Sequence, residues 1–240
     1  MTNAEASPRV KARLAGVFEL LEGLTSAGGQ VLILGRLVVS GNAVATAANI
    51  LGHEQLFWLG FALSLIAVVF HIAWVLLFYE LFRPVSRSVS RLALFVILVG
   101  CAIQAVTSVL YVAPMLVLRG WSSGSAFASP QLQALAYLLV RLNGQAFNTY
   151  LVFFGIWCVL AGYLIFRSTF MPRILGVLLA IDGVGWALYL VPPLARHLFP
   201  FIATASAIAE IPLQLGLLVL GVNVQRWKEQ AGAAGPIGRT

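Results

Sequence analysis

The sequence predicts an all-α integral membrane bundle of six transmembrane helices. Three observations carry that expectation: six long apolar stretches, a composition 60% hydrophobic and only 10% charged, and a mean hydropathy of +0.95 over 240 residues. A soluble domain carries charge on about a quarter of its residues. This chain is composed instead for hydrocarbon.

Helices are expected at about 14–38, 56–82, 92–118, 143–166, 174–191 and 200–221, each able to cross a ~30 Å core with some tilt. The first is interrupted by Glu19, Glu22, Thr25, Ser26 and Gln30, so its insertion should depend on packing against its neighbours. In the first outer connection, Ser40–Gln55 spaces Ala, Ile and Leu helically and reads as a short amphipathic helix at the outer leaflet. In the second, Ser129 reads as an N-cap and Pro130 as the first helical residue of a segment that runs to Leu142 and on into the fourth span. Trp58, Trp121 and Trp227 fall near the expected interfaces, where amphipathic rings belong. The chain thus divides into an N-terminal segment 1–13, a transmembrane domain 14–221 and a tail 222–240.

The net charge of +7 would suit nucleic acid, but its distribution assigns it to topology. Arg9, Lys11, Arg13, Arg83, Arg87, Arg91, Arg167, Arg173, Arg226, Lys228 and Arg239 fall on one side of the expected spans, leaving Arg36, Arg119, Arg141 and Arg196 for the other. The positive-inside rule then places both termini in the cytoplasm and the chain in the cytoplasmic (inner) membrane. The partner this implies is the lipid bilayer, not nucleic acid. No cleavable signal pattern follows Met1–Arg13, so the first helix should be retained. Cys101 and Cys158 both lie within spans and read as small core residues, not as a disulfide or metal pair. No phosphate-binding loop, HExxH, CxxC or GxSxG pattern occurs, so no cofactor, metal site or catalytic residue is assigned.

Offsetting the chain by 84 residues aligns Gly60, Phe70, Ile72, Val75, Leu76, Tyr79, Phe82 and Arg83 with Gly144, Phe154, Ile156, Val159, Leu160, Tyr163, Phe166 and Arg167. Such agreement suggests a parallel internal repeat.

Several stretches are more specific. Phe153–Leu179 (FFGIWCVLAGYLIFRSTFMPRILGVLL) stands out, with ARLAGV at Ala12–Val17, ATAANIL at Ala45–Leu51, LFRPVSRS at Leu81–Ser88, SPQLQALA at Ser129–Ala136 and GVNVQRW at Gly221–Trp227. In order along nearly the whole chain, these resemble a bacterial family of multi-pass membrane proteins known only as domain of unknown function 4386. The resemblance implies a helical membrane bundle and transfers no catalytic residue.

Function has one clue, the ionisable residues inside the spans. Glu22, His71, Gln104, Asp182 and Glu210 fall within about one helical turn, ~5 Å, of a common depth. An Asp at a helix centre costs about 2.5 to 3.5 kcal/mol to insert, so three unpaired carboxylates are not expected. Either they hold protons or they share a cation. Pro212 frees a backbone carbonyl near Glu210, and Gly183 and Gly185 follow Asp182, which suits a cation-lining arrangement. Glu19 and Glu80, nearer a helix end, read as snorkelling side chains. A second, weaker candidate is an outer site for an anionic group built from Arg36, Arg119, Arg141 and Arg196, with Asn143, Gln145 and Asn148 adding hydrogen bonds.

Three readings follow. The chain binds a proton, cation or small polar solute at a mid-membrane polar pocket. Alternatively it is an intramembrane enzyme on a lipid-like substrate, or a non-catalytic membrane partner or sensor. Against all site readings stands simple packing, since buried polar contacts between helices contribute about 0.6 kcal/mol each without any further role.

Overall fold

A computed structural model describes residues 7–120 and 127–233. Among these, six helices are long and apolar enough to cross a membrane: α1 (Pro8–Leu37), α3 (Glu54–Phe82), α4 (Arg87–Leu118), α5 (Ser129–Arg167), α6 (Arg173–Leu190) and α7 (Pro192–Leu220). Two shorter helices, α2 (Ala43–Gly52) and α8 (Val224–Ala233), complete the described chain, which contains no strand. This is a membrane protein of six transmembrane helices. Trp121, Arg239 and the ends of both terminal segments lie outside the described residues.

The spans begin earlier than hydropathy suggests. α1 starts at Pro8 and α7 at Pro192, where a missing backbone donor is harmless because the first turn has no partner for it. α4 starts at Arg87, since Arg and Ser continue a helix beyond the apolar stretch. α5 does run unbroken from Ser129 to Arg167, but its cap differs from expectation: Ala128 N–H donates to Gln131 Oε1 at 2.9 Å, so Ser129 is already inside the first turn. α2 forms where an outer amphipathic helix was expected, capped by Asn42 Oδ1 accepting from Ala45 N–H at 2.9 Å. α6 and α7 are separated by Val191 alone, against an expected loop.

Two compact units partition these helices. The first takes residues up to Leu20, His71–Gly100 and residues from Thr149 on; the second takes Leu21–Phe70 and Cys101–Asn148. In the first, Trp74, Phe78, Phe82, Trp157, Leu179 and Leu213 build an apolar core. Trp74 and Trp157 meet edge to face at 4.7 Å, a favoured geometry for ring quadrupoles. α8 is tied onto this unit by Trp227, whose indole N–H donates to the Leu81 carbonyl at 2.8 Å. Lys11 forms an ion pair with Glu80, which fixes that carboxylate where snorkelling was expected.

The tightest contact in the first unit joins α5 to α6 through two glycine pairs. A methyl group on Gly155 would lie 2.6 Å from the Gly183 carbonyl oxygen, and one on Gly162 would lie 2.6 Å from that of Gly176. Both pairs are seven residues apart on their helices, so they recur on one face and let the backbones touch. In lipid, where apolar burial gives helices no reason to associate, such contact supplies the dispersion energy that holds them.

In the second unit, Ile33, Leu37, Ile50, Phe57, Tyr111 and Met115 form the core. Tyr111 donates to the Gly29 carbonyl at 3.3 Å, and Asn143 Nδ2 donates to the Thr107 carbonyl at 2.8 Å. Asn143 is therefore a buried clamp between α4 and α5, not a residue open to an outer ligand.

The internal repeat does not survive as matched environments. A methyl group on Gly60 would collide with Ile33 Cγ2 at 2.8 Å, whereas Gly144 has nothing within 4 Å; Phe82 is wholly buried, whereas Phe166 is 45% exposed.

Replacing Gly183 with Val should force α5 and α6 apart at a cost of about 1–3 kcal/mol, the usual range for overpacking. Gly144→Ala, in open space, should be neutral or stabilising by up to about 1 kcal/mol. Thermal unfolding in detergent compares the two.

Candidate functional site

α6 brings Asp182 inward. Its flanking residues Ile181 and Val184 are 57% and 59% exposed, but Asp182 is 0% exposed, because adjacent Gly183 presses the same face against α5. One turn on, at i+4, Trp186 shares that face. α7 presents a matching i, i+4 pair, Ser206 and Glu210.

These four residues make one cluster. Glu210 Oε1 accepts hydrogen bonds from Ser206 Oγ at 2.6 Å and from Trp186 Nε1 at 3.3 Å. Neither Asp182 oxygen makes a hydrogen bond of ordinary geometry, and the polar groups nearest it are Glu210, Ser206 and the Cys158 thiol, none of them basic. The cluster thus sets two carboxyls side by side.

Glu19 joins from α1. It is buried, and it lies near enough to Cys158 to interact with it, as Asp182 and Glu210 do. The snorkelling expected of Glu19 does not occur, because its part of α1 is covered by protein. Gly183 also has a different task from the cation lining expected of it, since it serves the α5–α6 contact.

His71, in the same unit, has an aromatic setting. Its ring stacks on Trp74 at 5.5 Å, and Tyr150 Oη lies 3.4 Å from Nδ1. Phe154 lies edge-on to the imidazole at 6.2 Å and against Trp186 at 6.4 Å, so rings line the way from His71 to the Glu210 partner. Glu22 and Gln104 belong to the second unit, where Gln104 Nε2 donates to Glu22 Oε1 at 3.3 Å. Glu22 and Glu210 are half-buried, while Asp182 is the most enclosed of the three.

Of the arginines expected on the outer side, Arg36, Arg141 and Arg196 are exposed. Arg119 is committed to Glu54: its Nε donates to Oε1 at 2.6 Å and Nη2 pairs with Oε2. That carboxylate holds the guanidinium pKa above its ordinary value by hydrogen bonding first and charge second. Arg119 is accordingly neutralised in place, not held open for an anion.

The model of a family described as a domain of unknown function (DUF4386) matches residues 14–222. The chain belongs to the DUF4386 family. No curated protein and no solved structure matches it. Membership assigns no chemistry.

Both cysteines are buried and free. Among the described residues no group of three His, Cys, Asp or Glu side chains is placed to hold a metal ion. What the Asp182 cluster can do chemically is hold and release a proton. Ser206 and Trp186 were not singled out from the sequence, although the spacings Asp182-x-x-x-Trp186 and Ser206-x-x-x-Glu210 were there to be read.

Ser206→Ala removes one donor to Glu210 with little change of shape. It should lower stability by about 0.6 kcal/mol and by no more than about 1.7, the measured span for polar contacts between membrane helices. Trp186→Phe removes the other donor and also trims the ring that packs on Phe154 and Tyr189, so it should cost more; chemical unfolding in mixed micelles measures both.

Proposed function

We propose that this membrane protein binds a proton at the Asp182–Glu210 carboxyl pair within its spans, using it as a titratable site in the polar interior. One observation carries the reading: Asp182 is fully enclosed, lacks an ordinary hydrogen bond, and has a second carboxyl as its polar neighbour. Two adjacent carboxylates shielded from water repel each other strongly, and a single shared proton removes one charge and supplies the missing donor. Ser206 and Trp186 favour this division of labour, since both donate to Glu210 and leave Asp182 to take the proton. A metal ion would ask for more ligands than the cluster offers. Ionisable groups in a span are costly to keep, which makes a pair of them a working site in preference to packing.

The linkage has a definite sign. A folded state that retains a proton which the two carboxyls release when unfolded in water binds more protons than the unfolded chain. Stability then falls as pH rises above about 4, the ordinary carboxylate range. One retained proton corresponds to about 1.4 kcal/mol per pH unit. Asp182→Asn leaves a neutral, proton-free partner for Glu210, so its stability relative to the parent should improve by about that slope with rising pH. Parallel pH profiles for Asp182→Asn, Glu210→Gln and the parent would discard the shared-proton reading.

A further inference from the structure

A second site lies at the other face of the α5–α6 contact. Along the exposed side of the two helices runs an apolar groove of 440 Å³, floored by Gly162 and Gly176 and walled by Phe166, Val177, Ile181 and Val184. The glycines that bring the backbones together leave no side chains to fill it. Asp182 does not line it, so the groove is separate from the carboxyl pair.

The groove ends in charge. Arg173, the first residue of α6, lies over the Phe166 ring, its Cζ 5.7 Å from the centroid. The same arginine lines a polar cleft of 730 Å³ together with Ser168, Thr169, Arg226, Glu229 and Gln230. α8 forms the far wall: Arg226 Nη1 donates to the Thr169 carbonyl at 3.4 Å, and Gln230 Oε1 accepts from Thr169 N–H at 3.0 Å. Glu229 is the cleft's acidic member and takes a hydrogen bond from Gln225 Nε2 at 3.0 Å. Arg167, the last residue of α5, is exposed beside it.

The dimensions match one leaflet. From Arg173 to Val184 is eleven residues, which at 1.5 Å each gives about 16 Å, close to half of the ~30 Å hydrocarbon core. A cationic cleft at a span's end, opening onto an apolar groove half a membrane long, complements a molecule with an anionic head and an acyl tail. We propose that this end of α5, α6 and α8 holds one anionic glycerophospholipid, its phosphate between Arg173 and Arg226 and one acyl chain along the Phe166–Val184 groove.

The test uses the full chain in detergent, titrated with phosphatidylglycerol, with phosphatidylcholine of the same acyl chains, or with inorganic phosphate. Thermal shift and native mass spectrometry are the readouts. Phosphatidylglycerol should stabilise and stay bound in preference to phosphatidylcholine, and inorganic phosphate should do neither. Arg173→Gln and Arg226→Gln should each weaken apparent phosphatidylglycerol affinity about fivefold, while Arg173→Lys should retain most of it and report that the fold is intact. Val177→Trp fills the groove and should weaken both lipids with the arginines unchanged. Any of four results overturns the site. These are an equal shift from inorganic phosphate, a phosphatidylglycerol preference that survives loss of both arginines, undiminished binding by Val177→Trp, or dimers that the same variant abolishes, which would give the groove to a second copy.

Discussion

The backbone contact between α5 and α6 is the constraint on which the first unit depends. Gly155 against Gly183 and Gly162 against Gly176 allow an approach that any side chain would block. Two consequences follow from that one contact. On its inner face Asp182 is drawn out of lipid and set beside Glu210 of α7. On its outer face the absence of side chains leaves a groove that ends at Phe166 and Arg173. Carboxyl pair and groove thus flank one glycine-built helix contact.

The energetics of the pair explain why its surroundings are as they are. Insertion penalties of a few kcal/mol per carboxylate exceed what ordinary interhelical polar contacts return. Donors on Glu210 reduce the deficit, and the proposed shared proton would reduce it further. The aromatic wall of Trp74, Phe154, Trp157 and Trp186 keeps the region compact and low in dielectric, which strengthens every polar interaction within it. His71, stacked in that wall, belongs to the packing as much as to the chemistry.

Much of the architecture was legible in the chain. Apolar run length defined six spans, and Ser40–Gln55 and Ser129–Leu142 announced the helix α2 and the extension of α5. Helix starts were misread at Pro8, Arg87 and Pro192, because hydropathy reports where lipid begins and not where backbone hydrogen bonding does. The site was legible in part. Depth along a helix follows from counting residues, so Asp182 and Glu210 could be named; which faces meet is set by register between helices distant in sequence. For that reason the sequence does not reveal Ser206, Trp186 or the burial of Glu19, nor that Asn143 donates to the Thr107 carbonyl and Arg119 pairs with Glu54. The α8 docking through Trp227 depended equally on a partner far away in sequence, the Leu81 carbonyl.

Infrared spectroscopy of the purified protein at neutral pH tests the central claim most directly, by looking for the carbonyl stretch of a protonated carboxyl. The account predicts such a band in the parent protein and its loss in both Asp182→Asn and Glu210→Gln, since one proton serves both groups. A parent spectrum without the band, or a band indifferent to both substitutions, would contradict it.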